Sequence, residues 1–154
     1  MAPDVFARAA HIRDAAAISA LNNHYVDHGQ MLRRSPDMIE EAIVDSVVVQ
    51  NPAGQLLACG ALAAIAVSAE AHGRGLGRAI VRAVEALARK RGVHEVFALT
   101  LEPAFFAAVG YQRVDRARYP EKNRRDCITC ARRVACNETC FTKSLLSEQL
   151  VRAA

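Results

Sequence analysis

The segment His72-Gly73-Arg74-Gly75-Leu76-Gly77-Arg78 sets three glycines and two arginines between an apolar, strand-like run and an amphipathic, helix-like one. Glycines let backbone N–H groups approach a ligand closely, and a helix N-terminus adds unpaired donors with a partial positive charge. Together they form a cradle for a pyrophosphate, and Arg74 and Arg78 contribute further charge. The plainer reading is a flexible loop with solvated arginines; the flanking strand and helix favour the cradle, because context is what confirms such a motif. A dinucleotide fold needs an acidic residue about 20 positions on, at the tip of a second strand, whereas Glu95 stands before its strand. No Lys-Ser/Thr pair follows the glycines, which excludes a P-loop.

Two further groups carry chemistry. Arg33 and Arg34 precede Ser35-Pro36-Asp37, a good helix start with Ser as N-cap and Pro at the first helical position. Arginine pairs bidentately with carboxylates and the helix dipole favours an anion there, so Arg33, Arg34 and Ser35 are candidate substrate contacts. Lys143, near the end of the chain, is another candidate carboxylate partner. Solvated side chains are the alternative for all three cations. Cys127-x2-Cys130-x5-Cys136-x3-Cys140 gathers four thiols in a polar stretch, a compressed version of the spacing that suits tetrahedral zinc. A metal there would be structural; free thiols or a disulfide formed on oxidation are the alternatives. Cys59 lies in an apolar strand, where a cysteine is usually small core filling rather than a nucleophile. The histidines are scattered, and His24 and His28 read as a polar helix face.

These residues need a scaffold. The chain of 154 residues suits one domain, 1–154, with the Cys-containing segment at 126–140. At 52% hydrophobic it can bury a sizeable core, but with no Trp and 5% aromatics that core must be aliphatic. The net charge of +4 fits an anionic cofactor or acidic substrate; nucleic acid is disfavoured because no recognition motif is present. The start of the chain does not read as a signal peptide, and the longest apolar candidate, Leu56–Ala69, falls short of the roughly 20 residues of a membrane span. A soluble, cytoplasmic protein with reduced thiols is the expectation.

Periodicity predicts a strand at Phe6–Ala9 and a helix over Ile12–Val26, whose apolar face is Ile18, Leu21, Tyr25 and Val26. A second helix runs from Pro36 to about Val44. Strands follow at Ser46–Gln50, Leu56–Ala63 (with Gly60 as a bulge) and Ile65–Val67, the first two joined by the turn residues Asn51-Pro52-Ala53-Gly54. The clearest helix is Gly75–Arg91: Ile80, Val81, Val84, Leu87 and Ala88 share a face, Arg82, Glu85, Arg89 and Lys90 point away, and Gly92 ends it. Then come a strand at Val96–Leu99, a short helix at Pro103–Val109 ended by Gly110, a strand from Tyr111 to Val114, an irregular stretch Arg116–Thr139 and a last strand at Phe141–Leu146. This order predicts a layered α/β architecture.

The loop resembles the cofactor signature of the GCN5-related N-acetyltransferase (GNAT) family, Arg/Gln-x-x-Gly-x-Gly/Ala, with His72 in place of the first Arg or Gln. The resemblance implies a mixed, mostly antiparallel sheet covered by helices on both faces. It implies that acetyl-CoA is the co-substrate, that its pyrophosphate lies on the N–H groups of Arg74–Arg78, and that the backbone of Ile65, Ala66 and Val67 pairs with the pantetheine arm. Val96–Phe106, Val109-Gly110-Tyr111 and the Cys127–Glu138 segment are similar to the short bacterial N-acetylglutamate synthases, and Leu32-Arg33-Arg34-Ser35 to their substrate-side segment. That likeness implies an arginine on a glutamate carboxylate, a role in arginine biosynthesis, and a small amino-acid substrate as the partner; a homodimer is compatible with it. Many family members carry a Tyr after the late strand; Phe105 and Phe106 stand there instead, as core aromatics or lining for the pantetheine channel. No general base is assigned. Acetylation of another small amine or a protein N-terminus, and an acyl-CoA-binding module without activity, are the competing readings. The connection between Leu62 and Ile65 is expected to be too short for a normal antiparallel reversal.

Overall fold

The computed structural model describes residues 6–26, 33–61, 65–67, 72–120 and 136–146. The chain divides into two compact units, Met1–Arg91 and Gly92–Ala154.

The first unit is built on a four-stranded antiparallel sheet of β1 (Phe6–Ala9), β2 (Ser46–Gln50), β3 (Leu56–Ala61) and β4 (Ile65–Val67), in that spatial order. Strand residues alternate between its faces. Val47, Val49, Leu57 and Ala58 meet Leu76, Ile80 and Val84 of α3 (Leu76–Lys90) on one face. Val48 and Cys59 meet Ala15, Ile18 and Ile39, from α1 (Ala15–Val26) and α2 (Pro36–Glu41), on the other. Helices therefore cover both faces, as expected. Cys59, 5% exposed, fills this second layer as a small apolar residue.

Several sequence expectations need correcting. The bulge lies not at Gly60, which pairs regularly with Val47 and Ile65, but opposite Val49/Gln50. The extra residue on β3 lets the consecutive Leu57 and Ala58 both join the α3 layer. β3 and β4 nevertheless pair antiparallel, Gly60 with Ile65 and Ala58 with Val67; residues 62–64 lie outside the described residues. The α1 face that is buried is Ala15, Ile18, Ser19 and Asn22, with Leu21 and Tyr25 only partly covered. Helix α2 ends at Glu41, and Ile43–Asp45 forms a separate 3-10 turn. Glu85 does not point away: it is 3% exposed, and Arg89 one turn on lies 3.8 Å from its carboxylate. The 100° step per residue places Glu85 beside Val81 and Ala88 at the flank of the apolar stripe, within reach of the layer that covers it.

The second unit holds β5 (Glu95–Thr100), α4 (Pro103–Ala108), β6 (Gln112–Val114) and β7 (Thr139–Ser144). The spatial order is β5-β7-β6, so the last strand is the central one and runs antiparallel to both neighbours. It begins two positions before its expected start, because Thr139 and Cys140 find partners in Thr100, Leu99 and Val114. The Leu145 N–H donates to the His94 carbonyl at 2.8 Å just beyond the ladder. Phe106 of α4 packs edge-on to Tyr111 (ring centroids 5.2 Å apart) and near-parallel to Phe141 (6.3 Å), which fastens α4 to the sheet.

Candidate functional site

The loop His72–Gly75 leads into α3. Gly73 and Gly75 both adopt positive φ (79° and 76°), the left-handed region that L side chains avoid. Gly75 is the N-cap residue, and among the described residues no side chain caps the helix. The first intrahelical bond runs from the Ala79 N–H to the Gly75 carbonyl, so the amides of Leu76, Gly77 and Arg78 have no helical acceptor. The Leu76 side chain is buried, which anchors the first turn in the core, while Arg74 and Arg78 are exposed beside the amides. This is the geometry of an anion cradle: donors without a helical acceptor, a positive helix end and two cations. β4, the strand before the loop, is the terminal strand of its sheet.

His72, at the loop's first position, is tied to α1. Its Nε2 lies 3.0 Å from the Tyr25 hydroxyl, and the two rings are nearly parallel with centroids 6.4 Å apart. Burial pushes the Tyr25 phenol above its ordinary range, so it is a hydroxyl hydrogen-bonding partner at neutral pH. Sequence reasoning placed Tyr25 in the core and missed this contact; no local pattern relates residues so far apart.

The Arg33–Ser35 segment packs against the same helix. Ser19 Oγ donates to the Arg34 carbonyl at 2.7 Å, and Asn23 holds both main-chain groups of Arg34, with contacts of 3.0 and 3.1 Å. Ser35 acts as the N-cap of α2, its hydroxyl accepting the Met38 N–H at 3.3 Å. Arg33 is exposed and Arg34 half-buried. One helix thus contacts both the cradle and the arginine segment.

The remaining candidates belong to the second unit. Lys143 donates to the Val109 carbonyl at 3.1 Å, and its ammonium stands 5.5 Å from the Tyr111 ring centre. Phe105 and Phe106 are half-buried and packed edge-to-face, centroids 5.2 Å apart. Cys127 and Cys130 lie outside the described residues. Cys136 approaches Glu138 at 3.8 Å, whereas Cys140 is buried in β7 opposite Leu99 and Val114. Burial pushes the Cys140 thiol up. No group of three metal-ligating side chains occurs among the described residues. Cys140 has its place in the core of the central strand.

An unforeseen cluster joins Glu95, Tyr119, Thr142 and Arg118. Glu95 Oε1 accepts from Thr142 Oγ1 and Arg118 Nη2, each at 2.8 Å, and Tyr119 Oη lies at the same distance. The Thr142 and Tyr119 hydrogen bonds, with Arg118, hold the Glu95 carboxyl below its ordinary range. Phe97 stacks on the Tyr119 ring at 3.8 Å. No described helix is long and apolar enough to cross a membrane.

Residues 47–113 match the model of the acetyltransferase (GNAT) family. The chain is 38% identical over 154 residues to an uncharacterized N-acetyltransferase of Chlorobaculum tepidum, covering 94% of this chain and 99% of that protein. It resembles the structure of N-acetylglutamate synthase from Neisseria gonorrhoeae complexed with coenzyme A and N-acetyl-glutamate, with a TM-score of 0.81 and 27% identity over 96% of this chain. That likeness covers 36% of the Neisseria chain, so this chain spans about a third of that synthase's length. A Mycobacterium tuberculosis protein in complex with CoA and NLQ is similar with a TM-score of 0.76 and 25% identity, over 92% of this chain and 99% of that one.

Proposed function

The chain belongs to the GNAT acetyltransferase family, and from that premise we propose that it moves the acetyl group of acetyl-CoA to the α-amine of an amino acid, L-glutamate above all. The observation that carries the cofactor half is the pair of left-handed glycines ahead of the uncapped start of α3, beside Arg74 and Arg78. A Cβ built at Gly73 or Gly75 meets no atom within 4 Å, so the backbone there is open to a pyrophosphate. β4 is the terminal strand of its sheet among the described residues, which suits pairing with an extended pantetheine arm. The acceptor half rests on Arg34, held at the entrance of α2, and on the glutamate-derived ligand named for the Neisseria synthase. An acetylglutamate-forming step would place the enzyme in arginine biosynthesis.

Acetyl-CoA supplies the acetyl group as an activated thioester. In our reading the loop amides of Leu76, Gly77 and Arg78 bind the pyrophosphate, and His72, Arg74 and Arg78 line it. In the same reading the N–H groups of β4 near Val67 serve as donors to the developing oxyanion. Arg34, with Arg33 and Ser35 beside it, orients the acceptor carboxylate so that the neutral amine faces the thioester carbonyl. Direct transfer needs no covalent enzyme intermediate, consistent with the burial of Cys59 among apolar residues.

The test is thiol release from acetyl-CoA with a panel of amino acids and amines. Glutamate should be the preferred acceptor. Arg34→Ala should lose glutamate turnover while keeping CoA binding. Equal turnover in that variant, or preference for an amine without a carboxylate, would overturn the assignment of the acceptor and leave the family intact.

A further inference from the structure

We propose that Asn23, with Ser19 one turn before it, is the positioning residue that sets the substrate arginine, Arg34; this rests on the reading of Arg34 as the acceptor's carboxylate contact. Arg34 belongs to no helix or strand, so no ladder or helix supplies partners for its main-chain groups, whereas the next residue, Ser35, already gives its carbonyl to the Ile39 N–H of α2. Asn23 supplies the partners of Arg34. Its Oδ1 accepts the Arg34 N–H at 3.0 Å, and its Nδ2 donates to the Arg34 carbonyl at 3.1 Å. One planar side-chain amide therefore satisfies both polar groups of one residue, as a neighbouring strand would. Only one orientation of the amide does so, because the oxygen must face the N–H and the nitrogen the carbonyl.

Ser19 completes the clamp. It is 4% exposed, and its hydroxyl donates to the same carbonyl at 2.7 Å while accepting from Asn23 Nδ2 at 3.2 Å. The i,i+4 spacing puts the two side chains on one face of α1, and Ile18 beside Ser19 fixes that face in the core. On the other side of Arg34, Ser35 caps α2. Arg34 is thus fixed through its own backbone and at the residue that follows it, which sets the direction in which its side chain leaves the chain. Catalytic constellations need about 0.5 Å of positional accuracy, and an arginine on an irregular segment reaches that only if its backbone is held.

The test is steady-state kinetics of Asn23→Ala, Asn23→Asp and Ser19→Ala in the full chain, with thermal unfolding alongside. Asn23→Ala should raise the glutamate KM about tenfold, the size expected from freeing one residue's backbone, and leave the acetyl-CoA KM within about twofold. Asn23→Asp keeps the acceptor, loses the donor and should fall between; it also serves if Asn23→Ala fails to fold, as does Ser19→Ala. In an Arg34→Ala background, compared by the residual glutamate kcat/KM at high enzyme concentration, Asn23→Ala should add nothing further, because the two act as one unit. Equal shifts in both KM values, or additive losses in the double variant, would overturn the proposal and leave a structural role. A wild type that turns over glutamate with an unaffected Asn23→Ala sinks this inference alone; a wild type with no glutamate turnover sinks the acceptor reading and this inference with it.

Discussion

Gly75→Ala separates what the cradle glycine does for the fold from what it does for the ligand. Gly75 sits at φ 76°, and a Cβ there meets nothing within 4 Å. No clash enters the estimate, so the cost is the left-handed conformation itself, about 1–2 kcal/mol for an L-residue. Against it stands the reduced freedom of the unfolded chain, worth about 0.4–1 kcal/mol. The net loss should be about 1 kcal/mol in urea unfolding. Gly54, in the β2–β3 turn, provides the control: φ 84° and equally open space. Gly54→Ala should lose the same stability. The two must differ in CoA binding by calorimetry. At Gly75 the new methyl sits on the N-cap residue of α3, where close approach of the pyrophosphate is proposed, so the CoA Kd should rise tenfold or more, about 1.4 kcal/mol. At Gly54 it should not move. Equal effects of the two substitutions on CoA, or none from Gly75→Ala, would refute the placement of the pyrophosphate.

Other outcomes follow from the same geometry. Tyr25→Phe removes one hydrogen bond to His72 and should raise the CoA Kd about two- to tenfold, the worth of a single hydrogen bond; an unchanged Kd in calorimetry would show that the contact does not steady the loop. Ile80→Ala, at a side chain with 0% exposure in the α3 layer, should destabilise the protein by about 2–5 kcal/mol in chemical denaturation. Hydrogen bonds from Arg8, at 2.8 and 3.0 Å, hold the Asp14 carboxyl below its ordinary range. A depressed folded value means that its contribution is complete above the ordinary aspartate range and fades as pH falls through the lowered one. Wild-type stability should therefore drop from about pH 4 downward, and Asp14→Asn should be less stable at neutral pH with a shallower acid slope; parallel pH profiles would count against the pairing.

Features with local causes were legible in the residues. The helical period of α3 was clear because an amphipathic stripe is written in neighbouring turns, and the end of that helix at Gly92 because a positive φ (73°) is a property of one residue. The Ser35-Pro36 start of α2 was legible for the same reason. Glu85 was misread because the stripe's width depends on the layer packed over it, which the helix alone does not record. The bulge was assigned to Gly60 on residue type, although register is decided by the partner strand: Leu57 is the residue that β2 cannot match. The zinc reading followed spacing, which does not record that β5 and β6 draw Cys140 into the central strand.

By itself, the sequence determined the strand–loop–helix unit around His72–Arg78, since left-handed glycines, a helix start and flanking arginines are all encoded within a few positions. It also determined that Arg34 stands at a helix entrance. Only the tertiary structure decided that α1 holds both pieces, through Tyr25 to His72 and through Ser19 and Asn23 to Arg34. It alone decided that the last strand is central. Hydrogen-bond partners and sheet order join residues distant along the chain, and no local periodicity carries that information.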